Sequence, residues 1–168
     1  PTPNSSSRAQ AAAAAALRAA FARAFRPTPR VLPSDWATRH FGLPDGPLKG
    51  KLIDLAETPY VREPLDNLHP SSPWTEIAVK KSSQTGFTTA GMIWCGSIID
   101  SDEADSILYV LPTIGDAKDF VAEKLSPAIK DTKPLSRRIR SQKSRDADGS
   151  KTLSKKYPGG GLILAGPN

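Results

Sequence analysis

Residues 76–99 read EIAVKKSSQTGFTTAGMIWCGSII. Ile77, Ala78 and Val79 form a short apolar run that predicts a strand, and the polar residues 80–85 predict a loop. From residue 86 to 99 the chain is long and apolar enough for a buried helix. The next block, ILYVL at 107–111, is a continuous apolar run of the kind expected in a strand covered on both faces. Pro112 ends it, and residues 116–129 carry helical spacing at Ala117, Phe120, Val121, Lys124 and Leu125, with Pro127 expected to break the last turn. Strand, loop, helix, strand, helix in this order predicts an α/β domain on a parallel sheet. Residues 151–156 and 161–165 flank Tyr157-Pro-Gly-Gly, a turn signal that predicts a hairpin.

The loop Lys81-Ser-Ser-Gln-Thr-Gly86-Phe87-Thr88 has the length and end points of a phosphate-binding loop. The usual pattern, G-x-x-x-x-G-K-[ST], cradles phosphates with backbone N–H groups, neutralises them with an ammonium and holds Mg²⁺ with a hydroxyl. Gly86 fills the second glycine position and Thr88 the hydroxyl position, but Phe87 stands at the lysine position and Lys81 at the first glycine. A wrapped loop returns its first residue to the side of its last, so an ammonium at position 81 reaches the same phosphate oxygens. Two readings stay open on the loop alone: a nucleotide site, or a polar strand end (Lys80, Lys81) followed by a turn glycine. The strand, loop and helix order favours the first, because phosphate binding needs N–H groups aimed from a helix N-terminus.

Outside this core the chain changes character. Pro1 to Ser7 is rich in Pro, Ser and Thr and reads as a disordered lead. Residues 9–25 are alanine-rich, with Leu17, Phe21 and Phe25 spaced by four on one stripe of a helix. Three readings fit this acid-free, arginine-bearing segment: a docking helix for a partner, a solvated alanine helix, or an organelle transit peptide. Residues 27–75 hold nine prolines, which forbid long elements. A short helix capped by Ser34 is expected through Asp35, Trp36, Ala37 and His40 up to Gly42, and another from Tyr60 to Leu68. The division expected is 1–30 as lead and helix, 31–75 as a Pro-rich subregion and 76–168 as the core.

Composition bounds the rest. The 168 residues correspond to about one domain, and the net charge is +6. Residues 1–34 carry +5, residues 35–132 carry −6 and residues 133–156 carry +7, so two basic segments flank an acidic middle and a polyanionic partner is expected. Arg137, Arg138, Arg140, Lys143 and Arg145 lie among Ser, Asp and Gly and admit three readings: a solvated loop, a DNA-phosphate contact, or a cation supplied to a neighbouring subunit's nucleotide site. The chain has no apolar run of about 18 residues and is not expected to span a membrane. One cysteine, Cys95, excludes an internal disulfide, and only two histidines, His40 and His69, argue against a structural zinc site and a hydrolytic triad. Cys95, Met92 and Trp94 read as core residues of the apolar helix.

The loop at 81–89, the block ILYVLPTIGDAKDF and the terminal GGGLILAGPN together resemble consecutive blocks in the N-terminal half of phage terminase large subunits of the lambda-like group. The upstream Leu32-Pro-Ser-Asp-Trp36-Ala and Thr58-Pro-Tyr60 blocks are similar to that group's lead into its ATPase core, so the resemblance runs over 31–168. It implies a P-loop NTPase fold with the lysine displaced to the front of the loop. The implied activity is an ATP-driven motor that packages double-stranded viral DNA into procapsids, in the host cytoplasm, as a homo-oligomeric ring with a small terminase subunit and a portal. By position, Lys81 would contact the phosphates, with Lys80 as a substitute. Ser82, Ser83, Gln84, Thr85, Gly86 and Phe87 would line the ATP, Thr88 would ligate Mg²⁺, and Tyr60 (or Trp36) would stack on adenine. Hydrolysis needs a further acidic strand, which in that family lies beyond GGGLILAGPN, as does an endonuclease domain. The lookalike run from Gly96 to Asp100, with Asp102 and Glu103 after it, continues the loop's own helix and reads as a helix end. The fragment is therefore expected to bind nucleotide without hydrolysing it.

Overall fold

The computed structural model describes residues 5–24, 31–139 and 152–167. Residues 1–30 and 31–168 form two compact units. The first contains helix α1 (Ser5–Ala24), which starts inside the stretch read from sequence as a disordered lead. Alanine, the best helix former, dominates it, and Leu17 and Phe21 are exposed on its surface. Phe25 lies outside the described residues.

The second unit is mixed α/β. Its elements are α2 (Pro33–His40), a 3₁₀ turn (Pro59–Val61) leading into α3 (Arg62–Asn67), α4 (Phe87–Asp100), β1 (Ile107–Val110), α5 (Ile114–Phe120), a π turn (Val121–Leu125), α6 (Ser126–Asp131), α7 (Lys133–Arg138), β2 (Ser154–Tyr157) and β3 (Gly160–Ala165). The sheet has the order β1-β3-β2; β1 runs parallel to β3 with Ile107 opposite Leu162, and β2 pairs antiparallel with β3 through the expected hairpin. It is thus a small mixed sheet rather than a wholly parallel one.

Helix α4 is the axis of the core. Ala90, Met92, Ile93, Cys95 and Ile99 are buried along it, together with Ile107, Leu162 and Leu164 of the sheet and Phe120, Val121 and Leu125 of the following helices. Cys95 packs as expected, and burial pushes its thiol up to about 12, far from a reactive thiolate. Gly96 is a close-approach position: a Cβ there would meet the Trp36 ring at 2.5 Å, so the missing side chain lets α2 lie on α4. The Trp36 indole N–H donates to Asp100 Oδ2 at 2.9 Å, and its ring is 4% exposed.

The run Ile77 to Val79 is not a strand; it is irregular backbone with Ala78 and Val79 exposed, because a strand needs a paired neighbour and none contacts it among the described residues. The ILYVL strand is covered on one face only: Ile107 is buried, while Leu108, Val110 and the neighbouring Ile163 are exposed. Pro127 does not end its helix. Ser126 N–H reaches back five residues to Val121 O, and this widened turn gives the proline ring the room that a tight α turn denies. Ser34 does not cap α2 with its side chain either; it sits inside the first turn, where its N–H and hydroxyl both donate to Asp66 of α3, at 2.9 and 2.8 Å. Asp66 thereby serves an otherwise unpaired helix N–H from another element.

Tyr157 closes the hairpin against the strand start, its hydroxyl donating to Asp105 O at 2.6 Å. Burial, then Cys95 and Asp105, raise its pKa to about 12. The unfolded chain loses this proton near pH 10 while the folded chain keeps it, so its contribution to stability is complete below pH 10 and falls as pH rises toward 12. Tyr157→Phe is expected to make the loss of melting temperature between pH 10 and 12 shallower, which a thermal pH series checks.

Candidate nucleotide-binding site

α4 ends at Asp100 and β1 begins at Ile107, and Gly91, early in α4, lies against Tyr109, late in β1, so the two elements run in opposite directions. The N-terminus of α4 therefore points toward the end of the sheet at which β1 and β3 finish. Tyr109 of β1 lies against Gly91, in the first half of α4, and Leu111 N–H donates to Ala165 O at 2.9 Å where the two parallel strands run out. Carboxyl ends of parallel strands are where open α/β sheets bind ligands.

At this end sits the loop 81–88. Gly86 is the N-cap of α4, with φ +76°, a left-handed conformation that glycine adopts without steric cost. Among the described residues no side chain caps the helix, and the N–H groups of a helix's first turn lack intrahelical acceptors and favour an anion. Gln84 is left-handed as well, at φ 57°, the one non-glycine residue with positive φ among those described. Such a conformation is uncommon outside Gly, Asn and Asp and clusters at functional turns. Two left-handed residues within three positions curl the backbone into a concave turn, tied by Thr85 Oγ1 donating to Ser82 O at 3.1 Å.

The side chains sort clearly. Lys80, Lys81, Ser82, Ser83 and Gln84 are exposed, as is Thr88 on the first turn of α4. The Lys81 ammonium donates to the neighbouring Ser82 O at 3.2 Å, so it is folded onto the loop. Phe87 is half-buried and packs against the core. At the usual lysine position this chain therefore has a hydrophobic anchor, which accounts for a cation placed elsewhere, while Phe87 keeps its backbone N–H for a ligand. Tyr60 is exposed in its 3₁₀ turn, and its hydroxyl donates to Thr85 O at 3.4 Å, which brings it to the loop across 25 residues of sequence. Trp36, the other aromatic expected at the base, is instead buried against Gly96 of α4 and bonded to Asp100 at the far end of that helix.

The basic residues divide too. Arg137 is exposed, whereas Arg138 clamps the far end of α4: its guanidinium lies 3.3 Å from Asp100 and 3.6 Å from Asp102, and donates to the carbonyls of Ser101 at 2.8 Å and Ile99 at 3.2 Å. A cation there offsets the negative end of the helix dipole and the acid at its C-terminus. Two acids at a helix C-terminus were the sequence signal for such a partner. Arg140, Lys143 and Arg145 lie outside the described residues. Asp100 itself ends α4, so the run Gly96 to Asp100 is helical, as its sequence suggested. His69, unexpectedly, has a hydroxyl beside it: Ser71 Oγ is 2.6 Å from Nδ1 in an exposed turn, a contact two residues apart that a local pattern search would find.

No curated protein and no solved structure matched the chain. The family model for the phage terminase large subunit gpA, ATPase domain, matches residues 48–168, a span that takes in Tyr60, the loop, α4 and the whole sheet. As that span is well over half of the chain, this protein belongs to the phage terminase large subunit gpA ATPase-domain family.

Proposed function

We propose that this chain carries the ATP-binding loop of a motor that drives double-stranded viral DNA into procapsids. The observation that supports it best is the left-handed turn at Gln84 and Gly86, which opens the uncapped α4 in a member of the terminase ATPase family. In this reading the core is a partial P-loop fold. The N–H groups of residues 82–88 hold the phosphates, Lys81 neutralises them and Tyr60 stacks on the adenine. The donor set suits a magnesium nucleotide, since an exposed hydroxyl, Thr88, stands on the first turn of α4 in the same loop as an exposed ammonium, Lys81. Bound through Thr88, Mg²⁺ would supply charge neutralisation to the β- and γ-phosphates.

Arg137, with Arg140, Lys143 and Arg145, contacts DNA phosphates in this account, and Arg138 holds the root of that segment to α4. The working motor is a ring in the host cytoplasm, with a small terminase subunit and a portal as partners. Among the described residues none of the three strands carries an acid that could orient a hydrolytic water, so the role proposed for the loop is nucleotide binding.

Thermal unfolding tests the reading. With Mg²⁺ and a non-hydrolysable ATP analogue at about 100 times Kd, stabilisation of about 2.7 kcal/mol is expected, a rise of roughly 5–10 °C in melting temperature. Equal melting with and without nucleotide would favour an assembly or DNA-binding module that keeps the fold without the chemistry.

A further inference from the structure

We infer that Tyr60 is a positioning residue for the phosphate loop, acting through its hydroxyl and not only through its ring; this rests on the nucleotide-binding reading above. The hydroxyl donates to the carbonyl of Thr85, the residue between the two left-handed positions Gln84 and Gly86. A peptide unit is planar, with its C=O and N–H on opposite sides, so whatever holds Thr85 O also sets the direction of the Gly86 N–H. Glycine tolerates φ of either sign, which makes the Thr85–Gly86 peptide the unit of the loop most free to flip. A donor on the carbonyl selects one orientation, and the N–H then points away from Tyr60.

The donor stands on a firm base. Pro59 restricts the backbone just before it, and Val61 and Leu65, at 3% and 1% exposure, pin the 3₁₀ turn and α3 to the core. The 3.4 Å separation is long for a hydroxyl bond, which is commonest near 2.7–2.8 Å, so the contact has room to shorten when a ligand draws the loop inward. Its effect falls on a phosphate-facing N–H and is independent of the base.

Inorganic tripolyphosphate, which has no base, separates hydroxyl from ring. Calorimetric titration of the wild type, Tyr60→Phe and Tyr60→Ala with Mg²⁺-tripolyphosphate and with Mg²⁺-ATP is the experiment, with ligand-free melting as a check of folding. Tyr60→Phe is expected to weaken both ligands by the same factor, about 3- to 10-fold, at unchanged melting temperature. Tyr60→Ala should weaken ATP further than tripolyphosphate. Wild-type affinity for tripolyphosphate in Tyr60→Phe would overturn the inference while leaving the nucleotide site intact. Failure of the wild type to bind either ligand would overturn the nucleotide reading itself, and this inference with it.

Discussion

Lys81→Ala is expected to lose about 100-fold in affinity for Mg²⁺-ATP while its ligand-free melting temperature stays that of the wild type. The first half follows from charge. Each hydrogen bond to an ionised group contributes about 1.5–3 kcal/mol, and an ammonium between two phosphates makes more than one. The second half follows from exposure: Lys81 lies on the surface and donates to the carbonyl of the adjacent Ser82, a bond that water replaces at little cost. Lys81→Arg should recover part of the loss, because the guanidinium keeps the charge but replaces a compact, rotatable donor with a planar fork. Lys80→Ala separates the two lysines, and a loss as large as that of Lys81→Ala would reassign the role. Titration calorimetry on the three variants reads all of this directly.

Trp36→Ala is expected to cost about 3–5 kcal/mol, the range for deleting a large buried aromatic, and to lower the melting temperature by roughly 8–15 °C. The ring fills the space above Gly96, and its N–H is tied to Asp100. Removing it leaves a cavity between α2 and α4, although Asp100 retains Arg138 and is not stranded. Gly96→Ala probes the same contact from the other side. A Cβ 2.5 Å from the indole must push the ring or the helix aside, for about 1–3 kcal/mol. With Trp36→Ala already in place, that penalty should largely vanish. Denaturant titration of the two single variants and the double variant measures this coupling, and simple additivity would mean that the two groups do not share one space.

The parts of this fold legible in sequence are those whose cause is local. The span of α4, the strand at Ile107 and the hairpin at Tyr157-Pro-Gly-Gly follow from an apolar run, a proline stop and a glycine turn, all read within a few residues. What could not be read depends on partners. Residues 77–79 have strand composition, but pairing is a property of two segments, and no described strand lies beside them. The run ILYVL says that its residues are apolar and not which face is covered, and Leu108 and Val110 are 64% and 63% exposed. Ser34 has a cap residue's chemistry, yet the acceptor that serves the helix end is Asp66, 32 positions away.

The site divides along the same line. Spacing alone placed Lys81, Gly86 and Thr88 around one turn at the start of a helix. Gln84 carries no sequence signal for a left-handed backbone, and Phe87 reads as a missing lysine until it is seen packing into the core. The contact of Tyr60 with Thr85 is a product of the tertiary fold.

A cation at the leading edge of the loop is proposed to replace the one missing from the trailing edge. A crystal structure of this chain with Mg²⁺ and a non-hydrolysable ATP analogue tests it most directly. The expected result is Lys81 Nζ released from Ser82 O and about 3 Å from β- or γ-phosphate oxygens, with the triphosphate inside the turn at Gln84 and Gly86. A triphosphate bound elsewhere, or seated in the turn with Lys81 still on its own loop carbonyl or in solvent, would contradict it.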